Sequence, residues 1–267
     1  MHDLERHQHL LHSQLPAFAR KVDWSRQIIE DALAKGGRWY LGFSGGIDST
    51  VVLHLLYTAG HRIDVCWGDN GWDFPETLHF LRATEAHYGI HIKRYRTVES
   101  FQDFAREMGR PDLAEDYDAP GAWNNPPEWD AVHLLKDTSF EGYDGVFLGL
   151  LGTRAKRGGE SRARFLQLRG GARPLYRSAS DRNTWHCCPL AAWSKRDVWA
   201  YIASRGVPYN PVYDTLAALG VPLERRRCTE LTCYRVAQYG AFVQVHSGWP
   251  DLYTRFAAVF PAVRAYR

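Results

Sequence analysis

Seven consecutive residues, Ser44-Gly45-Gly46-Ile47-Asp48-Ser49-Thr50, bring two glycines, three hydroxyls and a carboxylate into one short turn. The apolar run Trp39-Tyr40-Leu41-Gly42-Phe43 precedes them, and Val51-Val52-Leu53-His54-Leu55-Leu56, a helix-like run, follows without a spacer. A strand, a glycine turn and a helix in that order suit an anion. Glycines let the backbone approach closely, and the first amides of a helix have no carbonyl one turn behind them. Ser44, Ser49 and Thr50 add hydroxyl donors, while Asp48 can cap the helix or help to hold a metal ion on phosphates. The Walker spacing is absent, because no Gly-Lys-Ser/Thr follows four residues after the first glycine. The bland alternative is an ordinarily capped strand-to-helix turn.

Three further segments carry polar groups at suggestive places. Gly68-Asp69-Asn70-Gly71-Trp72-Asp73-Phe74-Pro75-Glu76-Thr77 follows a second apolar run, Ile63–Trp67. A carboxylate such as Asp69, at the end of a parallel strand beside a phosphate loop, is placed for a metal or ribose contact. The same residues also read as a β-turn with Pro75 opening a helix. The run from Gly149 to Arg164 contains Arg154, Lys156, Arg157, Glu160, Ser161, Arg162 and Arg164. Arginine's fixed donor fork suits phosphate and sulfate oxygens, although a solvated basic loop has the same composition. Finally, Pro189 to Asp214 holds Trp, Val and Ile at helical spacing, then Pro208-Tyr209-Asn210-Pro211-Val212-Tyr213-Asp214. Packing is the main reading of that stretch.

These residues need a frame, and the alternation of patterns supplies one. Strands are expected at 39–43, 63–67, 90–95 and 143–150, with helices at 48–58, 76–88 and 193–204. The last of these opens near Ser194 and ends at Gly206. One or two helices with Trp24, Ile28, Ile29 and Leu33 on a common face precede the first strand. The β-α-β-α-β order implies right-handed crossovers and an α/β, doubly wound parallel sheet of Rossmann-like type, with helices on both faces. Ligands in such sheets lie at the carboxyl ends of the strands, where the glycine turn falls. Pro111, Pro120, Gly121, Asn124, Asn125, Pro126 and Pro127 mark 108–127 as a loop insertion. The expected organisation is a helical segment at 1–36, a nucleotide-binding α/β domain at 37–215 and a helical, cysteine-containing extension at 216–267.

Four segments together carry a resemblance. The glycine turn resembles the PP-loop, Ser-Gly-Gly-x-Asp-Ser, of the ATP pyrophosphatases. Residues 69–77 resemble the Asp-Thr-Gly-x-x-Phe-Pro-Glu-Thr element of the sulfate-activating and sulfate-reducing branches, with Asn70 in place of Thr. Residues 149–164 are similar to Gly-x-Arg-x-x-Glu-Ser-x-x-Arg, with extra residues inside. Residues 189–214 are similar to a stretch of phosphoadenylyl-sulfate reductase-like proteins. The chain is thereby identified as a member of the PP-loop, adenine nucleotide alpha-hydrolase superfamily, close to phosphoadenylyl-sulfate reductases and the sulfate adenylyltransferase small subunit. The resemblance spans residues 38 to 214, in the family's order.

That likeness implies ATP and Mg²⁺ as ligands. Ser44, Gly45, Gly46, Asp48, Ser49, Thr50, Asp69, Gly71, Glu160 and Ser161 then contact the nucleotide. Asp48, Arg154 and Arg164 act in catalysis, with Asp48 also a magnesium ligand. The implied reaction adenylylates a substrate oxygen and releases pyrophosphate, in sulfur metabolism or in sulfur incorporation such as DNA phosphorothioation. A sulfur-donor protein such as a cysteine desulfurase and a nucleic acid are the implied partners. The competing readings are a phosphoadenylyl-sulfate or adenylyl-sulfate reductase and a non-catalytic nucleotide- or DNA-binding subunit. The intact loop and the lack of a cysteine after Cys233 weigh against the reductase, whose usual nucleophile is a late cysteine.

Composition narrows the classes further. The 267 residues are 45% hydrophobic and 24% charged with a net charge of +3, an ordinary globular balance too mild to establish a nucleic-acid partner. No run of about 18 apolar residues is present, so no membrane span is expected. No signal segment is evident, and a cytoplasmic setting with reduced thiols is the expectation. Of the five cysteines, Cys66 sits in an apolar run and reads as core. Cys187-Cys188 with Cys228 and Cys233 echo the four-thiolate sets of iron–sulfur adenylyl-sulfate reductases. The likeness therefore admits a [4Fe-4S] cluster or zinc there, although order and spacing depart from the family's.

Overall fold

The computed structural model describes residues 3–69, 73–96, 142–151, 173–178, 184–228, 241–259, 261 and 264. The expected insertion at 108–127, together with Gly71, Arg154, Glu160, Ser161, Arg164 and Cys233, lies outside the described residues.

Two helices come first, α1 (Asp3–Ser13) and α2 (Pro16–Leu33), with Pro16 in the opening turn of α2 where its missing N–H costs nothing. The buried stripe of α2 runs Phe18, Val22, Ser25, Ile28, Ile29 and Ala32, a regular three-and-four spacing. Trp24, expected on that stripe, falls off it and is exposed.

The sheet then builds by crossovers. Strand β1 (Trp39–Gly42) leads into α3 (Ile47–Thr58), β2 (Asp64–Asp69), α4 (Pro75–Tyr88) and β3 (Ile92–Arg96). Strand β4 (Gly145–Leu148) follows, then β5 (Leu175–Ser178) and β6 (Thr184–Cys187). The six strands lie in the order β3-β2-β1-β4-β6-β5. Tyr40 pairs with Asp64 on one side and Val146 on the other, both in parallel register. Reversal of strand order between β1 and β4 marks a doubly wound α/β sheet, and it opens a crevice at the carboxyl ends of those two strands. β5 runs antiparallel to β6, so the sheet is mixed, with an antiparallel strand at that edge.

Strand alternation divides the packing. Trp39, Leu41, Phe43, Val65, Trp67 and Phe147 share the main core with α2, α3 and α4, whereas Tyr40, Cys66, Tyr143 and Val146 form a smaller cluster. Helix α3 is buried almost all round, with Ile47, Val51, Val52, Leu55 and Leu56 no more than 1% exposed. Each such side chain contributes about 1.5–3 kcal/mol, so the helix that begins at the glycine turn is firmly anchored.

The chain continues through α5 (Lys195–Arg205), α6 (Val212–Ala218), a 3₁₀ turn (Leu223–Arg225), α7 (Ala241–Gly248) and α8 (Pro250–Val259). Helix α5 starts with a capping box, Ser194 with Asp197, and stops at Gly206, whose φ of +63° is left-handed. Among the described residues no helix is long and apolar enough to cross a membrane.

Candidate functional site

The turn between β1 and α3 takes its shape from its glycines. Gly45 has φ of +70°, a conformation that a side chain strains. A Cβ there would also stand 3.2 Å from Thr77 Cγ2. Gly46 is the extended residue before α3 and offers no side-chain cap. Asp48 therefore does not cap the helix. Ser49 and Thr50 fasten the turn instead, their hydroxyls donating to the Gly46 carbonyl at 3.0 and 2.9 Å. Ser44 is exposed at the mouth, its Oγ accepting from Gly46 N–H and lying 3.3 Å from Ser49 Oγ.

Residues far away in sequence hold the turn from beneath. Asn210, fully buried, donates to the Gly45 carbonyl at 3.3 Å and to Thr77 Oγ1 at 2.8 Å. Tyr213 Oη accepts the Ile47 N–H at 3.3 Å and donates to Cys228 Sγ at 3.8 Å. A Cβ on Gly46 would come within 3.5 Å of both that hydroxyl and that sulfur. The packing role expected of Asn210 and Tyr213 is therefore a specific one: they set the height of the loop. Gly149, just past β4, closes the other side, since a Cβ there would lie 2.7 Å from Ser49 N. Sequence reasoning gave Gly149 no separate role, and its need for a bare backbone explains the residue.

Charge gathers around this turn. Asp48 Oδ2 lies 3.5 Å from Lys195 Nζ, and each side chain is only 12% exposed. Asp69, at the end of β2, is buried and receives Arg94 Nε at 2.6 Å from β3. Asp73 has its carboxyl pushed up to about 7, first by burial and then by the Asp69 charge, with Arg94 opposing. The Asp73, Lys195 and Asp48 charges all act on the Cys228 thiol, which burial above all pushes up to about 12. Sequence reasoning singled out neither Lys195 nor Asp73. The available signal for Lys195 was a cation at the opening of a helix, against the usual preference for acids there. The entry into α4 at 73–76 is braced in turn by Trp249, between α7 and α8. Trp249 Nε1 donates to both Glu76 oxygens, at 2.8 and 2.9 Å, and its ring lies 4.3 Å from that of Phe74.

The cysteines do not assemble into a metal centre in the described part of the chain. Cys187 packs in the main core with its thiol toward the Ile28 carbonyl, whereas its neighbour Cys188 belongs to a separate cluster with Tyr176. Cys187 ends β6 and Cys188 follows it, and the two thiols lie in different clusters, so they do not face one another here. Cys228 sits under Gly46. Among the described residues no group of three or more His, Cys, Asp or Glu side chains is placed to hold a metal. Cys187, Cys188 and Cys228 therefore do not fit the expected cluster, and burial raises all three thiols. Cys66 is core, as expected.

A cleft of about 540 Å³ lined by Leu33, Arg38, Trp39, His61, Arg62 and Asp64 opens at the amino-terminal ends of β1 and β2. It is on the wrong side of the sheet for the loop, and the crevice rule favours the carboxyl ends.

A family model for the phosphoadenosine phosphosulfate reductase domain matches residues 38–238. An uncharacterized protein of Methanocaldococcus jannaschii is 34% identical over 175 residues, which are 65% of this chain and 33% of that one. A phosphoadenosine 5'-phosphosulfate reductase of Xanthomonas campestris pv. campestris is 29% identical over 174 residues, 65% of each. The chain thus spans about a third of the first relative and just under two thirds of the second. Among solved structures, the phosphate complex of phosphoadenylyl-sulfate (PAPS) reductase from Candida auris superposes with a TM-score of 0.52 at 19% identity. That alignment covers 73% of this chain and 84% of the other, and it speaks for the fold.

Proposed function

We propose that this chain, which belongs to the phosphoadenosine phosphosulfate reductase domain family, binds ATP at the β1–α3 turn and adenylylates a substrate oxygen. In this reading the acceptor oxygen attacks the α-phosphorus, and the bond from that phosphorus to the bridging oxygen breaks. Pyrophosphate leaves with the electron pair. The observation that carries the reading is the turn itself. Gly45 is left-handed, Gly46 is bare above Tyr213 and Cys228, and the start of α3 is fixed in a buried helix. This geometry suits the tail of a nucleoside triphosphate.

Magnesium arrives with such a nucleotide and supplies charge neutralisation on its phosphates. The Asp48 carboxylate and the Ser44 hydroxyl are hard oxygen donors that suit it. Asp69, at the end of β2, and Gly71 are proposed to contact the ribose. Arg154 and Arg164 are proposed to neutralise the α-phosphoryl group, with Glu160 and Ser161 positioning them. No protein base is required, because orientation and charge stabilisation carry such transfers.

The acceptor classes we propose are sulfate and oxygens destined for replacement by sulfur, including those of a nucleic acid. In the second case a sulfur-donor protein such as a cysteine desulfurase works alongside. A reductase is the second reading, favoured by the name of the Xanthomonas relative. Against it stand the described thiols, buried and raised, which are poor nucleophiles toward sulfur.

The test is pyrophosphate release from ATP across sulfate and nucleic-acid acceptors, comparing the wild type with Asp48→Ala. Release is expected from the wild type, and a loss on the order of 100-fold in the variant. Sulfite formed from phosphoadenylyl sulfate with a thioredoxin system would instead establish the reductase. ATP binding without any release would leave a nucleotide-binding module.

A further inference from the structure

Lys195 stands where the energetics of its own helix oppose it. It is the first residue of α5, at the positive end of the helix dipole, where anions are stabilised and cations are not. The helix does not need it, because Ser194 and Asp197 already form a complete capping box. Its side chain is 12% exposed, so the long stem gives up rotamer freedom and the ammonium gives up water. These costs are not recovered by a well-made ion pair. The contact to Asp48 Oδ2 is 3.5 Å, against 2.7 Å for Lys21 with Asp197 on the same turn of helix.

We infer that Lys195 belongs to the binding site for the nucleotide, its ammonium binding oxygens of the β- and γ-phosphates. The inference rests on the ATP-binding reading above. A compact, strongly charged ammonium suits a phosphate oxygen as a point charge. Its position beside Asp48 brings it to the opening turn of α3, the end of the loop where a triphosphate tail lies. The partially made pair holds Lys195 in place until a phosphate arrives as the better acceptor.

Calorimetric titration of ATP and AMP tests this, with magnesium and in EDTA, where Asp48 has no cation to hold; the proteins are wild type, Asp48→Asn, Lys195→Met, the double variant, and Asp48→Asn combined with Lys195→Arg. Lys195→Met alone is ambiguous, because it leaves the Asp48 charge exposed to the phosphates. The decisive comparison is therefore made on the Asp48→Asn background, where that repulsion is gone. Adding Lys195→Met there is expected to weaken ATP on the order of tenfold while AMP changes by less than about twofold. Lys195→Arg is expected to recover part of the loss. A double variant that binds ATP as tightly as Asp48→Asn would overturn the inference and reduce Lys195 to a neutraliser of Asp48. An equal weakening of AMP would overturn it as well. A wild type that binds no ATP would sink the nucleotide reading itself, a result distinct from either.

Discussion

The first turn of α5 carries two ion pairs, two residues apart, that differ in nearly every physical respect. Asp197 is 2% exposed and accepts from the Ser194 amide, the Ser194 hydroxyl and Lys21, each at 2.7 Å, with His12 Nε2 at 2.8 Å. Its charge matches the helix dipole, and its partners come from α1 and α2. Lys195 has the opposite sign to the one the dipole favours, and it faces the glycine turn across 3.5 Å. A pair with short bonds and a favourable field is built for stability. A pair with a long bond in an unfavourable field is built for something that binds.

The largest effect expected from this contrast falls on Asp197. Asp197→Ala removes a cap and leaves Lys21 and His12 unsatisfied, so unfolding in urea is expected at roughly 3 kcal/mol lower stability. The ATP affinity of the folded protein is expected to stay within about twofold of wild type. The reverse result, stability kept and affinity lost, would break the comparison. The carboxyl also has a pH signature. Burial alone would raise it, but His12, Lys21 and Ser194 together hold it down at about 2. A depressed carboxylate stabilises fully above its ordinary value of 3.8 and loses that contribution as pH falls toward 2. Wild-type stability should therefore drop across that interval, and the drop should shrink in Asp197→Ala.

A middling effect is expected on the loop side, where charge is held at a cost. Asp73, raised to about 7 by burial and by Asp69, binds its proton more tightly folded than unfolded. Such a group stabilises below its unfolded pKa and loses that contribution as pH rises through its folded one. Asp73→Asn should match wild type below about pH 3, gain on it steadily as pH rises from there toward 7, and keep that margin above. Thermal melts across pH measure it. No gain at pH 8 would remove Asp73 from the strained side of the comparison. Smallest of all is the stability change in Lys195→Met, expected below about 1 kcal/mol because relief at the dipole offsets the lost pair. A loss as large as that of Asp197→Ala would erase the distinction between the two pairs.

Local chemistry was legible in the sequence, and distant company was not. The glycine turn, the helix opened by Pro75 and the helix bounded by Ser194 and Gly206 all announce themselves through residues that must be where they are. Each sits at the expected place, as 47–58, 75–88 and 195–205 show. Strands β5 and β6 gave no signal, because four residues with Arg, Trp and His among them carry no period. They exist by pairing with β4 and with each other. The support of the site was equally hidden. Asn210, Tyr213 and Cys228 reach the turn from 165 residues away or more, and no spacing rule connects them to Gly45 or Gly46. Trp24 shows the opposite failure, since a large aromatic residue near a buried stripe need not lie on it.

The helices that open the chain also clasp its far end. Glu5 on α1 takes a two-pronged grip from Arg226, at 2.8 and 3.1 Å, two residues before the thiol that floors the glycine turn. Yet the stretch that defines the kinship begins only at residue 38. Anyone trimming the gene to that boundary would discard the counter-charges of Asp197 and Arg226 together, stranding both in the interior. Fusion tags and gene fragments should therefore keep α1 and α2 together with the rest of the fold.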